Sequence, residues 1–247
     1  MPIERIGKYL ETADLGITHS LGIETSLLAD CIQEIKDREI LGVFGCPVFG
    51  FKQDNINFMN EIPFIEQVWF WEIELKNIDG LYSLNNLSYF GIHEKRPAID
   101  FSKFAKLKKA VWQPVRKDRG MGDLNFLQGL DLWRFKPKDK TYSSIELPKS
   151  LKQLDLNWCN PTSLKGMPTL SNLEALQIHY CRNLETIDSI FEFAPNLKKL
   201  VITRCANLKD FKVVLDHDWE HMHIDIKGKT VANKSSKKDA QNARASS

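Results

Sequence analysis

The sequence predicts an α/β solenoid, with a concave parallel sheet of about nine short strands and loops, 3₁₀ turns or short helices on the convex side. Three observations predict it. One nine-residue apolar pattern recurs along most of the chain. Inside each copy the apolar residues alternate, as in a short strand with one buried face. Between copies, Pro148, Pro161, Pro168 and Pro195 argue against long helices.

The pattern is clearest near the C-terminus. Leu173–Cys181 (LEALQIHYC), Leu197–Cys205 (LKKLVITRC) and Leu151–Cys159 (LKQLDLNWC) share one template. Upstream copies open at Ile65, Leu87, Leu107 and Leu127, and weaker ones at Arg38 (REILGVFGC) and His221 (HMHIDIKGK). The nine starts lie 20 to 27 residues apart. Fourth and sixth residues are apolar throughout, from Leu41/Val43 through Leu130/Leu132, Leu154/Leu156 and Leu176/Ile178 to Ile224/Ile226. A buried Leu or Ile contributes roughly 1.5–3 kcal/mol. A single copy cannot cover both sides of its apolar wedge, so copies stack. Between strands, Leu164, Met167, Leu170, Leu184, Ile187 and Phe191 are placed inward.

These copies resemble the leucine-rich-repeat family, whose repeats run about 20–29 residues. The resemblance covers Arg38 to Lys229 and is strongest over Leu127–Cys205. It implies a horseshoe with a concave binding sheet. The family's Asn at the ninth position is replaced here by Cys46, Ile73, Lys95, Val115, Phe135, Cys159, Cys181, Cys205 and Lys229, so no asparagine ladder is expected.

Residues 1–37 are read as an N-terminal cap. Leu27, Leu28, Cys31, Ile32 and Ile35 recur there at helical spacing, with Thr25 or Ser26 as the helix cap. Residues 38–229 form the solenoid. Residues 230–247 (TVANKSSKKDAQNARASS) are polar, and a disordered basic tail is expected.

Charge and composition narrow the function. With 34 Lys and Arg against 32 Asp and Glu, the chain is near neutral, but six of those bases and one acid follow residue 226. The body is therefore weakly acidic, a poor match to nucleic acid and a better one to a basic protein. No signal segment and no apolar run of the roughly 18 residues a membrane span needs is visible. Five cysteines without a framework point to a reduced compartment, and the cytoplasm is the expectation.

The third, fifth and seventh strand residues face out and the eighth sits at the rim. This places Trp69, Trp71, Glu72, Tyr89, His93 and Glu94 on the binding surface, followed by Asp131, Trp133, Arg134, Asp155, Asn157, Trp158, Gln177, His179 and Tyr180. Trp, Tyr and Arg dominate interface hot spots. The competing account has the aromatics pack on one another and bind nothing. Cys46, Cys159, Cys181 and Cys205 share one repeat position and are read as buried small hydrophobes. Arg116-Lys117-Asp118-Arg119 is read as a basic cluster on an exposed edge, and His217, His221 and His223 as incidental histidines of a terminal coil.

No catalytic residues, metal or cofactor are expected. The expected function is a non-catalytic protein-binding module, monomeric until bound. An inhibitor or immunity protein that neutralises a toxin, such as a nuclease with a basic cleft, fits this best. A scaffold or adaptor is the alternative. A metal-dependent enzyme built on the C-terminal histidines ranks lower, and RNA binding is a minor option.

Overall fold

The computed structural model describes residues 3–13, 18–92 and 95–235. The chain is α/β, with mostly parallel sheet and few helices. It divides into two compact units, Met1–Leu127 and Gln128–Ser247.

The first unit contains β1 (Glu4–Ile6), β2 (Tyr9–Thr12), β3 (Ser20–Gly22), helix α1 (Leu28–Asp37), β4 (Gly42–Gly45), β5 (Gln67–Phe70), β6 (Tyr89–Ile92) and β7 (Lys109–Trp112). Strands β1 to β3 pair antiparallel, and β3 to β7 pair parallel in chain order. The second unit contains β8 (Gly129–Trp133), β9 (Gln153–Asn157), β10 (Ala175–His179), helix α2 (Ile190–Phe193), β11 (Lys199–Thr203), β12 (His221–Ile226) and β13 (Lys229–Ser235). Here β8 to β12 are parallel and β13 returns antiparallel along β12.

The nine expected strands are present as β4 to β12, and four more bring the total to thirteen among the described residues. The extra four lie where a cap and a tail were expected. The stretch read as a cap holds β1, β2 and a further parallel strand, β3, besides its helix. The stretch read as disordered from residue 230 continues as β13 to Ser235, while 236–247 lie outside the described residues. Polar Lys229–Ser235 is ordered because its backbone completes the hydrogen bonding of β12, which needs no apolar side chains.

Buried alternation holds the strands in place. Leu130, Leu132, Leu154, Leu156, Leu176, Ile178, Leu200 and Ile202 are wholly buried, directly beside their counterparts on the next strand. Leu164, Met167, Leu170, Leu184 and Ile187 meet them from the loops. Phe191 is only half-buried; the neighbouring Ile190 and Phe193 of α2 point inward instead. Other connections are short 3₁₀ turns such as Asn57–Glu61 and Asp79–Ser83.

Both end copies slip by two residues. Val43 lies opposite Val68 and Gly45 opposite Phe70, so the first copy opens at Ile40 rather than Arg38. Met222 lies opposite Leu200 and Ile224 opposite Ile202, so the last opens at Trp219 rather than His221. The inward pairs are Val43/Gly45 and Met222/Ile224, and Ile226 is half-buried. Gly45 has no room for a side chain, since a Cβ there would sit 2.5 Å from the Phe70 ring. Cys46, though buried, thereby leaves the repeat position it was given. Cys159, Cys181 and Cys205 do share one. Each Sγ donates to a carbonyl of the preceding strand: Leu132 at 3.7 Å, Leu156 at 3.6 Å and Ile178 at 3.8 Å.

Two ionic centres, each built on a buried carboxylate, stabilise the first unit. Glu11 on β2 accepts from Arg38 at 2.6 and 3.1 Å and contacts His19 Nε2 at 2.6 Å. The Arg38 bonds hold its carboxyl below the usual range. Asp118 faces Arg96 through two bonds of 2.8 Å, with both side chains buried. It also accepts from Trp112 Nε1 at 2.9 Å, Ile99 N at 2.8 Å and Val115 N at 3.0 Å. The stretch Arg116–Arg119 is therefore no simple basic surface; its one acid is an interior hub. The expected caps of α1 also differ. The helix has no side-chain N-cap, and Thr25 Oγ1 accepts from Lys52 N instead.

Candidate partner-binding site

The outward strand face differs between the units. In the first, Gln67 and Tyr89 are buried, and Gln67 Oε1 accepts from Thr18 N at 3.3 Å. Tyr89 is thus not available for contact, contrary to the sequence expectation. Trp69 and Trp71 are half-buried and stack at 5.8 Å with 6° between planes. Gly91 permits this, since a Cβ there would meet Trp69 Cδ1 at 2.8 Å. Glu72 is exposed. His93 and Glu94 lie outside the described residues.

In the second unit the outward face stays open. Asp131, Trp133, Asp155, Asn157, Gln177 and His179 are all half-buried, with Arg134 exposed at the rim. Asp131 and Asp155 are in register on β8 and β9, and Gln153 Nε2 donates to Asp155 at 3.3 Å. Side-by-side carboxylates on neighbouring strands cost stability. His179 Nδ1 meets Thr203 Oγ1 at 2.7 Å and its Nε2 meets Gln177 Oε1 at 3.2 Å. Burial pushes its imidazole below the usual histidine range, against the pull of Asp131. A neutral ring donating from Nε2 and accepting at Nδ1 satisfies both contacts.

The rim is built by a backbone feature that the sequence does not announce. Glu72, Arg134, Trp158, Tyr180 and Arg204, each the eighth residue of its copy, all adopt φ between 51° and 59°. This left-handed turn ends the strand and throws the side chain outward. A bond to the next strand pins three of these turns: Arg134 N to Asn157 O at 2.8 Å, Trp158 N to His179 O and Tyr180 N to Thr203 O at 3.0 Å. Rings on adjacent turns therefore stack at about the strand spacing. Trp158 and Tyr180 lie 4.5 Å apart with 4° between planes, and Trp133 lies 5.1 Å from Trp158, tilted by 37°. Trp158 remains 40% and Tyr180 39% exposed.

Beside this stack runs a groove of about 320 Å³ lined by Arg134, Lys136, Trp158, Cys159, Asn160, Tyr180, Arg182 and Asn183. Lys136, Asn160 and Arg182 were not picked out from the sequence. They share the tenth position of three copies, beyond the nine residues of the template, and that shared offset was the available signal.

The C-terminal histidines form no cluster. His217 Nε2 meets Leu197 O at 3.0 Å and its ring packs on Phe191 and Trp219, while His221 and His223 are half-buried on β12. Among the described residues no group of His, Cys, Asp and Glu is arranged to hold a metal, and no helix is long and apolar enough to cross a membrane. No protein-family model matches the chain, and no curated protein matches it significantly.

Proposed function

We propose that this chain is a leucine-rich-repeat solenoid whose function is to bind another protein without catalysis. The observation that carries the reading is the exposed Trp158–Tyr180 stack at the rim of the second unit. Stability alone does not account for it. An aromatic pair contributes about 0.5–1.5 kcal/mol beyond its area, whereas a left-handed L-residue costs roughly 1–2 kcal/mol. Glycine at either position would remove that backbone cost. The neighbouring Asp131 and Asp155 lie in register on β8 and β9, and their carboxylates complement a cationic partner.

The form of binder we propose is an inhibitor, in particular an immunity protein that neutralises a toxin whose basic cleft meets Asp131 and Asp155. The test is co-expression with the products of adjoining genes, followed by pull-down and a toxicity assay. Capture and neutralisation are expected. The Trp158→Ala, Tyr180→Ala double variant should weaken capture by about 100-fold, as loss of a paired hot spot does. Undiminished capture by that variant, or no captured product, defeats the reading.

A further inference from the structure

We infer that the rim groove of the second unit receives a carboxylate-bearing segment of the partner protein. This rests on the protein-binding reading and adds the chemistry of what is bound. All charged side chains lining the groove are cations, Arg134, Lys136 and Arg182, and Arg204 continues the rim at the next turn. Among the described residues the side chains of Lys136 and Arg182 have no ion pair or hydrogen bond, and neither do the indole N–H of Trp158 and the hydroxyl of Tyr180.

Ring geometry sharpens the point. Trp158 is flanked by Tyr180, stacked at 4.5 Å, and by Trp133, tilted by 37° at 5.1 Å, so what it offers a ligand is mainly ring edge. Aromatic edges carry the positive side of the ring quadrupole. Cations, free donors and ring edges together complement an anion that only accepts hydrogen bonds.

Carboxylate and phosphate both meet that description, and two features favour carboxylate on a protein. Single-stranded nucleic acid gains affinity by laying bases on open aromatic faces, and Trp158 is already flanked by Tyr180 and Trp133. Asp131 and Asp155 on the adjoining strands would also repel a continuous phosphate backbone. A peptide segment can place an isolated Asp or Glu at Lys136 and Arg182 and an apolar residue against the stack.

The probe is a fluorescein-labelled octapeptide of alternating glutamate and leucine, titrated into the full chain at low salt and followed by anisotropy. Controls are the same peptide with lysine for glutamate and an oligothymidylate of equal length. Saturable binding of the glutamate peptide is expected. Lys136→Glu and Arg182→Glu should each weaken it about tenfold, and Lys136→Gln and Arg182→Gln about threefold. Lys165→Glu, an equal charge change at an exposed lysine outside the groove, should change it by less than about twofold. Thermal melts confirm that each variant is folded. The inference is overturned by absent saturation, by equal weakening with Lys165→Glu, or by tighter binding of the lysine peptide. Tighter binding of oligothymidylate overturns it too and assigns the groove to phosphate. Failure of the peptide arm with partner capture still sensitive to Trp158→Ala sinks only this inference. Groove-dependent peptide binding with capture undiminished in the Trp158→Ala, Tyr180→Ala variant defeats the protein-binding reading and leaves only the carboxylate preference of the groove standing.

Discussion

Asp118 shows how much one side chain decides. Five hydrogen bonds from Arg96, Trp112, Ile99 and Val115 converge on its carboxylate, which is almost wholly buried. Burial alone would raise its pKa, but Arg96, the Trp112 indole and the Ile99 N–H together hold it below the usual value. The stability it supplies is therefore complete above about pH 4, the unfolded carboxyl value, and is lost as pH falls through the depressed folded value. Asp118→Ala leaves Arg96 charged and unpaired, and urea denaturation near neutral pH should show a loss of about 3–5 kcal/mol. The gap to the parent should narrow progressively below about pH 4. A loss under about 1 kcal/mol would mean that solvent replaces the carboxylate, and that this is a surface pair after all. Composition suggested the opposite placement, because Arg116, Lys117 and Arg119 around it look like a solvated face. Sequence neighbours do not reveal a partner 22 residues away, one repeat upstream.

At the scale of the strand and its closing turn, the left-handed eighth residue is the element that makes the rim. Removing the Tyr180 ring in two ways separates backbone from side chain. Tyr180→Ala loses the stack and keeps the strain, whereas Tyr180→Gly loses the stack and relieves it. The glycine variant should be the more stable of the two by about 1 kcal/mol, measured by denaturant midpoint at fixed slope. An alanine variant as stable as the glycine one would show that the turn at 180 carries no strain. This turn was illegible in the sequence because Trp, Tyr, Arg and Glu are not residues that favour positive φ; register with the next strand imposes it. The strands were legible to different degrees for a related reason. From Leu127 to Cys205 the first, fourth and sixth residues are all large and apolar, so only one register fits. At the ends, the alternation of Leu41, Val43 and Gly45, or of Met222, Ile224 and Ile226, reads the same after a shift of two. Facing survives such a shift, which is why the buried side was assigned correctly for Val43 and Ile224 while the starting residue was not.

Across the molecule, among the described residues, each strand pairs only with strands adjacent in the chain, and the pairing is repeated with little variation within each unit. Stability in such an array is a sum over neighbouring interfaces rather than the property of one central core. A cavity should then be felt locally. Leu154 is wholly buried between Leu130 and Leu176, its in-register neighbours on β8 and β10. Leu154→Ala should cost about 2–5 kcal/mol by transfer and cavity effects. Hydrogen exchange read by mass spectrometry locates that cost. Amides of Gly129–Trp133, Gln153–Asn157 and Ala175–His179 should exchange faster, while those of His221–Ile226 and Lys229–Ser235, in the same unit but two or more strands away, should change far less. The same locality explains how the rim can hold strained turns and the cations Lys136 and Arg182, since their cost is confined to the interfaces of β8 to β11. Uniform loss of protection from β8 to β13 would show that the second unit opens as a single cooperative block, and the rim would then draw on the stability of the whole unit.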